Sequence, residues 1–118
     1  MYNELNQICN KYNLITQTIE YAKQDLYYFK EENPKEFAEY FTKFGLQDTL
    51  PTDFSMIDFV VFRMGYEIRL VQSNIEVISV AVDLVQCNAV NEYEKICRYY
   101  CYYDQNGNYF DDLTEYQN

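Results

Sequence analysis

Asp104, Asn106, Asn108 and Glu115 fall at positions 1, 3, 5 and 12 of a twelve-residue stretch, the spacing at which an EF-hand loop places oxygen ligands around calcium. Such a loop needs glycine at position 6 for its sharp turn, whereas here position 6 is Tyr109 and the glycine, Gly107, stands at position 4. The flanking residues alternate as strands do, where an EF-hand carries helices. Asn106-Gly107 is instead the preferred central pair of a type I′ hairpin turn, in which both residues take positive φ. With that turn Arg98 lies opposite Glu115, Tyr100 opposite Leu113 and Tyr102 opposite Asp111 on one face. The other face pairs Tyr103 with Phe110 and Tyr99 with Thr114.

The chemistry such a ribbon offers is contact and charge. Tyrosines supply rigid, amphipathic contact area, and carboxylates steer a basic partner and pair with its arginines or lysines. The candidate partner-binding residues are Tyr102, Asp104, Tyr109, Asp111, Asp112 and Glu115, in a segment with no lysine or arginine after Arg98. A plainer role stands beside this one: an edge hairpin whose carboxylates keep a foreign strand from adding to the sheet.

Catalytic constellations are missing from the sequence. Histidine, the commonest general base, is absent, and the three glycines, Gly45, Gly65 and Gly107, form no phosphate-binding or nucleophile-elbow motif. Asp111 and Asp112 are adjacent on a strand and so point to opposite faces. Carboxylates drawn from separate segments are the one acid/base arrangement left open. Without histidine a zinc site would need all of Cys9, Cys87, Cys97 and Cys101, and no C-x-x-C pair occurs. Cys97 and Cys101 stand about 13 Å apart along a strand, too far to bridge. The expectation is a non-enzymatic chain with no metal and no cofactor.

Charge narrows the partner. Nineteen acidic against nine basic residues give a net charge of −10, which repels a nucleic-acid backbone and favours a basic protein surface. The opening Met-Tyr-Asn-Glu is no apolar leader, and no apolar run approaches the roughly 20 residues of a membrane span, so a cytoplasmic protein with reduced thiols is expected.

Several elements must position the ribbon. Leu5, Ile8, Tyr12, Ile15, Ile19, Ala22, Leu26 and Phe29 recur at steps of three and four, predicting one helix over about 3–32. Its seam can lie on a sheet of its own domain or zip against a second helix as a homodimer or adaptor. Asn33-Pro34-Lys35-Glu36 ends that helix and opens another over 34–44, with Asn33 as N-cap, an apolar face of Phe37, Phe41 and Phe44, and Gly45 as the C′ residue. The period then shortens to 2, predicting strands over about 58–72, 75–86, 93–104 and 108–116, with a bend at Gly65. A helix over 53–64 is the alternative for the first part of this region. A two-residue turn at Ser73-Asn74 would set Arg69 opposite Ile78, so a bulge or a longer loop is expected there. The order of elements predicts a single α+β domain over 1–118, with two helices on an antiparallel sheet of about four strands.

The ending CYYDQNGNYFDDL, preceded by helices and short strands in an acidic domain of this size, resembles small bacterial and phage inhibitor proteins. These are immunity proteins that neutralise a cognate toxin and anti-CRISPR proteins that block a nuclease effector. The resemblance extends to the architecture and this ending, and carries over no residue role. It implies an acidic inhibitor that masks the basic groove of a larger protein, such as a nucleic-acid enzyme, in the manner of a DNA mimic.

Overall fold

A computed structural model describes residues 2–70, 74–87, 90 and 92–117. Three helices, α1 (Tyr2–Lys11), α2 (Leu14–Glu32) and α3 (Pro34–Thr42), precede four strands, β1 (Asp58–Leu70), β2 (Asn74–Cys87), β3 (Tyr93–Tyr103) and β4 (Tyr109–Tyr116). The strands form one antiparallel sheet in the order β1-β2-β3-β4, an α+β fold as expected. Residues 58–61 are strand, so the helical alternative over 53–64 does not form.

The helices pack on one face of the sheet. Leu14, Ala22 and Leu26 of α2 and Phe37 and Phe41 of α3 join Ile78, Val80, Val82 and Leu84 of β2 and Ile96, Tyr99, Cys101 and Tyr103 of β3 in one core. The α2 seam is thus spent inside the chain. Thr18 fixes α2 to β3: its buried hydroxyl donates to Leu14 O at 2.7 Å and meets the Tyr103 hydroxyl at 2.7 Å. The α3 end follows the expected glycine chemistry, with Gly45 at φ 69° and Leu46 N–H reaching back to Phe41 O at 3.1 Å. Asn33 occupies the N-cap position of α3, but its side chain makes no capping hydrogen bond.

Three local departures from the expected pattern matter. The helix expected over 3–32 is divided at Asn13, which sits at φ 53° in the left-handed region that asparagine tolerates better than most residues. The apolar seam continues through the break because a one-residue interruption barely moves the face, so periodicity alone could not reveal it.

The second departure is a bulge between Val61 and Arg63, not at Gly65. Phe59, Met64 and Tyr66 oppose the core-facing Leu84, Val80 and Ile78, while Val60, Arg63 and Gly65 oppose Asp83, Ala81 and Ser79 on the other face. Val60 is therefore not on the face of Met64 and Tyr66, as strict alternation would have it. Arg69 pairs with Ile75, not Ile78, and the Ser73 end of this connection lies outside the described residues.

The third departure is the hairpin tip. Only Gly107 of the Asn106-Gly107 pair has positive φ, at 79°. Asp104 N–H bonds Asn108 O at 2.9 Å and Gly107 N–H bonds Asp104 O at 3.1 Å, which makes a three-residue loop ending in a left-handed glycine, not a type I′ turn. Tyr103 accordingly pairs with Tyr109 instead of Phe110. A compensating shift between Tyr102 and Tyr103 then restores Tyr102 opposite Asp111, Tyr100 opposite Leu113, Tyr99 opposite Thr114 and Arg98 opposite Glu115.

Candidate functional site

The β3–β4 ribbon has two unlike faces, and the six candidate residues divide between them. Tyr102, Asp111 and Glu115 lie on the outer face, away from the helices, by their pairing with Ser79, Tyr102 and Arg98. Asp112 and Tyr109 lie on the helix side. Asp104 belongs to neither face, because its carboxylate closes the turn. Its Oδ1 accepts the Asn106 and Asn108 N–H groups at 2.8 and 3.0 Å and its Oδ2 accepts Asn108 Nδ2 at 3.2 Å. The Asn108 backbone N–H is the main reason that the Asp104 carboxyl is held below the usual range. Asp104 is thus a structural carboxylate.

On the outer face the small residues of β2 sit beneath large neighbours. Ser79 and Ala81 are only 4% and 1% exposed, lying opposite Tyr102 and Tyr100, whose rings stack with centroids 6.5 Å apart and planes 6° from parallel. Beside them Arg98 is held on two sides. Its Nε and Nη2 donate to the two Asp83 oxygens at 2.6 and 3.1 Å, and its guanidinium lies 3.3 Å from the Phe62 ring centroid. The Asp83 bond chiefly raises the already high Arg98 pKa, so this cation is fixed and charged. The apolar surface around it is open: Phe62 is 47% and Leu113 53% exposed, with Val60 nearby. Sequence reasoning placed Arg98 on this face opposite Glu115 but missed Phe62, because the β1 bulge that brings Phe62 there leaves no compositional trace.

On the helix side Asp112 receives the Tyr99 hydroxyl at 2.7 Å, and Asp25 of α2 receives the Thr114 hydroxyl at 2.7 Å. Burial pushes the Tyr99 and Tyr109 phenols up, with hydrogen bonds to Asp112 adding to it. Burial likewise raises the Asp25 carboxyl; the Thr114 bond opposes this and the charge of Asp112 reinforces it. These carboxylates, 87 residues apart in sequence, line one cleft of about 300 Å³ together with Tyr21, Gln24, Tyr28 and Tyr109. This is the carboxylate pair from separate segments that the sequence left open, and Asp25 carried no local signal for it.

The two β3 cysteines are not exposed thiols. Cys97 and Cys101 are buried, and burial pushes their thiols up to about 12 and about 11, so they fill space as apolar groups. Among the described residues no group of three or more cysteines and carboxylates is placed to hold a metal ion, and no helix is long and apolar enough to cross a membrane. Compared with family models, with curated proteins and with solved structures, the chain matches none, so any functional reading rests on its own residues.

Proposed function

We propose that this chain is a non-enzymatic binding protein that docks on a basic surface of a larger protein and blocks it. The docking surface is the outer face of β3 and β4, where Tyr100 and Leu113, with Phe62 of β1 beside them, form the contact area over a buried Tyr102, and Asp111 and Glu115 the acidic rim. The observation that carries this reading is the register of the ribbon, which sets Tyr102 beside Asp111 and Tyr100 beside Leu113 on a face that all three helices leave uncovered. Stiff aromatic area with a charged border is the composition that interface cores and rims favour. A net charge of −10 would draw a basic partner in at long range. A nuclease effector and a cognate toxin both offer such a basic groove, and the same surface serves either.

The test is capture of the partner from the host of origin by tagged protein, with and without Asp111→Lys and Glu115→Lys together. Asp112 is left out because it bonds the buried Tyr99. The captured protein should be lost with the double reversal, and wild-type capture should weaken as salt is raised. Equal capture by the two forms would sink the reading.

A further inference from the structure

The cleft between α2 and β4 stands apart from the outer face and has a chemistry of its own. Its walls are the rings of Tyr21, Tyr28 and Tyr109, with Tyr21 and Tyr109 in contact at 5.1 Å between centroids. Asp25 on α2 and Asp112 on β4 bring carboxylates to it from opposite sides. Thr114 orients Asp25 and Tyr99 orients Asp112, which also draws on the Tyr109 hydroxyl; a carboxylate accepts about four hydrogen bonds, so each keeps acceptor capacity for a guest. None of the residues lining the cleft is a lysine or arginine, and neither the Lys23–Glu20 nor the Arg98–Asp83 ion pair involves a lining carboxylate. Lys23, the nearest lysine to Asp25 in sequence, is turned toward the Phe54 and Phe59 rings at 5.3 and 5.7 Å.

We infer that this cleft binds a guanidinium group, carried on a short alkyl stem, between the Asp25 and Asp112 carboxylates and the rings of Tyr21, Tyr28 and Tyr109. A planar guanidinium forks onto a carboxylate and lies flat on an aromatic ring at the same time, which suits both kinds of wall. The chain shows the same combination internally, where Arg98 forks onto Asp83 and covers Phe62. A hard divalent ion would use more oxygens than these carboxylates supply and would gain nothing from the rings. The volume, about 300 Å³, lies at the small end of ligand sites and fits a single side-chain-sized group.

The guanidinium can come from a free small molecule or from an arginine of a protein. The test is a ¹⁵N–¹H titration with ethylguanidinium and, separately, with N-acetylarginine amide, using ethylurea and N-acetylcitrulline amide as neutral isosteres. Saturable shifts should appear at amides of residues 21–28 and 109–112 with both guanidinium probes and with neither isostere. Tyr28→Ala, at a half-exposed ring the fold does not need, and Asp25→Asn should each weaken binding by about tenfold. Tighter binding of the arginine amide marks a protein side chain as the source, and equal binding marks a free cation; either ranking supports the site. Equal shifts from the isosteres, no saturation with either guanidinium probe, or unchanged affinity in both variants overturns it. Asp111→Lys with Glu115→Lys should leave this binding in place, so the site and the outer docking face fail separately.

Discussion

The ring of Tyr12 occupies the space that a β-carbon on Gly107 would need. A Cβ built at Gly107 falls 2.4 Å from Tyr12 Cγ and 2.7 Å from Tyr12 Cβ, so the hairpin tip rests directly on the junction between α1 and α2. The break at Asn13 follows that ring immediately, and Gln17 Nε2 holds the Tyr12 carbonyl at 2.6 Å. One contact thus ties the β3–β4 turn to the junction between α1 and α2.

Gly107→Ala should therefore meet two penalties, the left-handed backbone at φ 79° and the overlap with Tyr12. The first costs about 1–2 kcal/mol and the second about 1–3 kcal/mol, for a loss of roughly 2–5 kcal/mol in urea unfolding. In a Tyr12→Ala background the overlaps with Cγ and Cδ1 are gone while the one with the Tyr12 Cβ at 2.7 Å remains, so the same substitution should cost less than in the wild type but more than the backbone penalty of about 1–2 kcal/mol alone. Equal costs in the two backgrounds would show that the ring moves aside freely.

Arg98 and Asp83 should be coupled more strongly than an ordinary surface pair. Their side chains are only 18% and 16% exposed, the contact is bidentate, and Phe62 covers the guanidinium. A double-mutant cycle with Arg98→Met and Asp83→Asn should return about 1.5–3 kcal/mol of coupling, against less than about 1 kcal/mol for the exposed Lys23–Glu20 pair. Arg98→Lys should recover only part of the loss, since an ammonium can neither fork onto Asp83 nor lie flat on Phe62.

Much of this framework can be read from the chain, and the misses share a cause. The seam from Leu5 to Phe29, the glycine stop at Gly45 and the pairing of Arg98 with Glu115 depend on local pattern or turn spacing, and each is present. The bulge beside Phe62, the break at Asn13 and the shift at Tyr102/Tyr103 each involve one residue's backbone and leave the apolar pattern almost unchanged. The candidate residues were sought in one continuous stretch, which a strand necessarily splits between its faces. Tyr109 and Asp112 therefore share their cleft with Asp25, a residue that only the tertiary fold brings near them.

Asp104 and Asp25 should shift stability with pH in opposite directions. The Asp104 carboxyl is held below its ordinary value of 3.8, first by the Asn108 N–H, so its contribution is present above that value and lost as pH falls through the lower folded one. Asp104→Asn should lower the unfolding midpoint at pH 7, with the gap closing in acid. The Asp25 carboxyl is raised by burial from 3.8, so its favourable contribution exists only while it is protonated and is lost as pH rises through the raised value. Asp25→Asn, which still accepts the Thr114 hydroxyl, should raise the midpoint at pH 7 and match wild type below the ordinary carboxylate range. Unfolding curves at several pH values check both signs, and a gap of the same sign for both variants at pH 7 contradicts the assignment.

Self-association through the helical seam should not occur. Leu5, Ala22 and Leu26 are 7%, 2% and 1% exposed in the chain's own core, so a seam-driven dimer would first have to strip α1 and α2 from the sheet. That would cost the burial of several large side chains, each worth about 1.5–3 kcal/mol. Face-to-face pairing of the outer sheet surfaces would bring Asp111 and Glu115 of two copies together, and a net charge of −10 on each copy opposes it further. Light scattering at micromolar concentration and moderate salt should give the monomer mass of 14.3 kDa. A dimer that dissociates on Leu113→Glu would place self-association on the outer face instead. A dimer that survives this change but not Leu26→Glu would mean that the helices leave the sheet, against the packing of Leu26 beside Phe37 and Ile78 in one core.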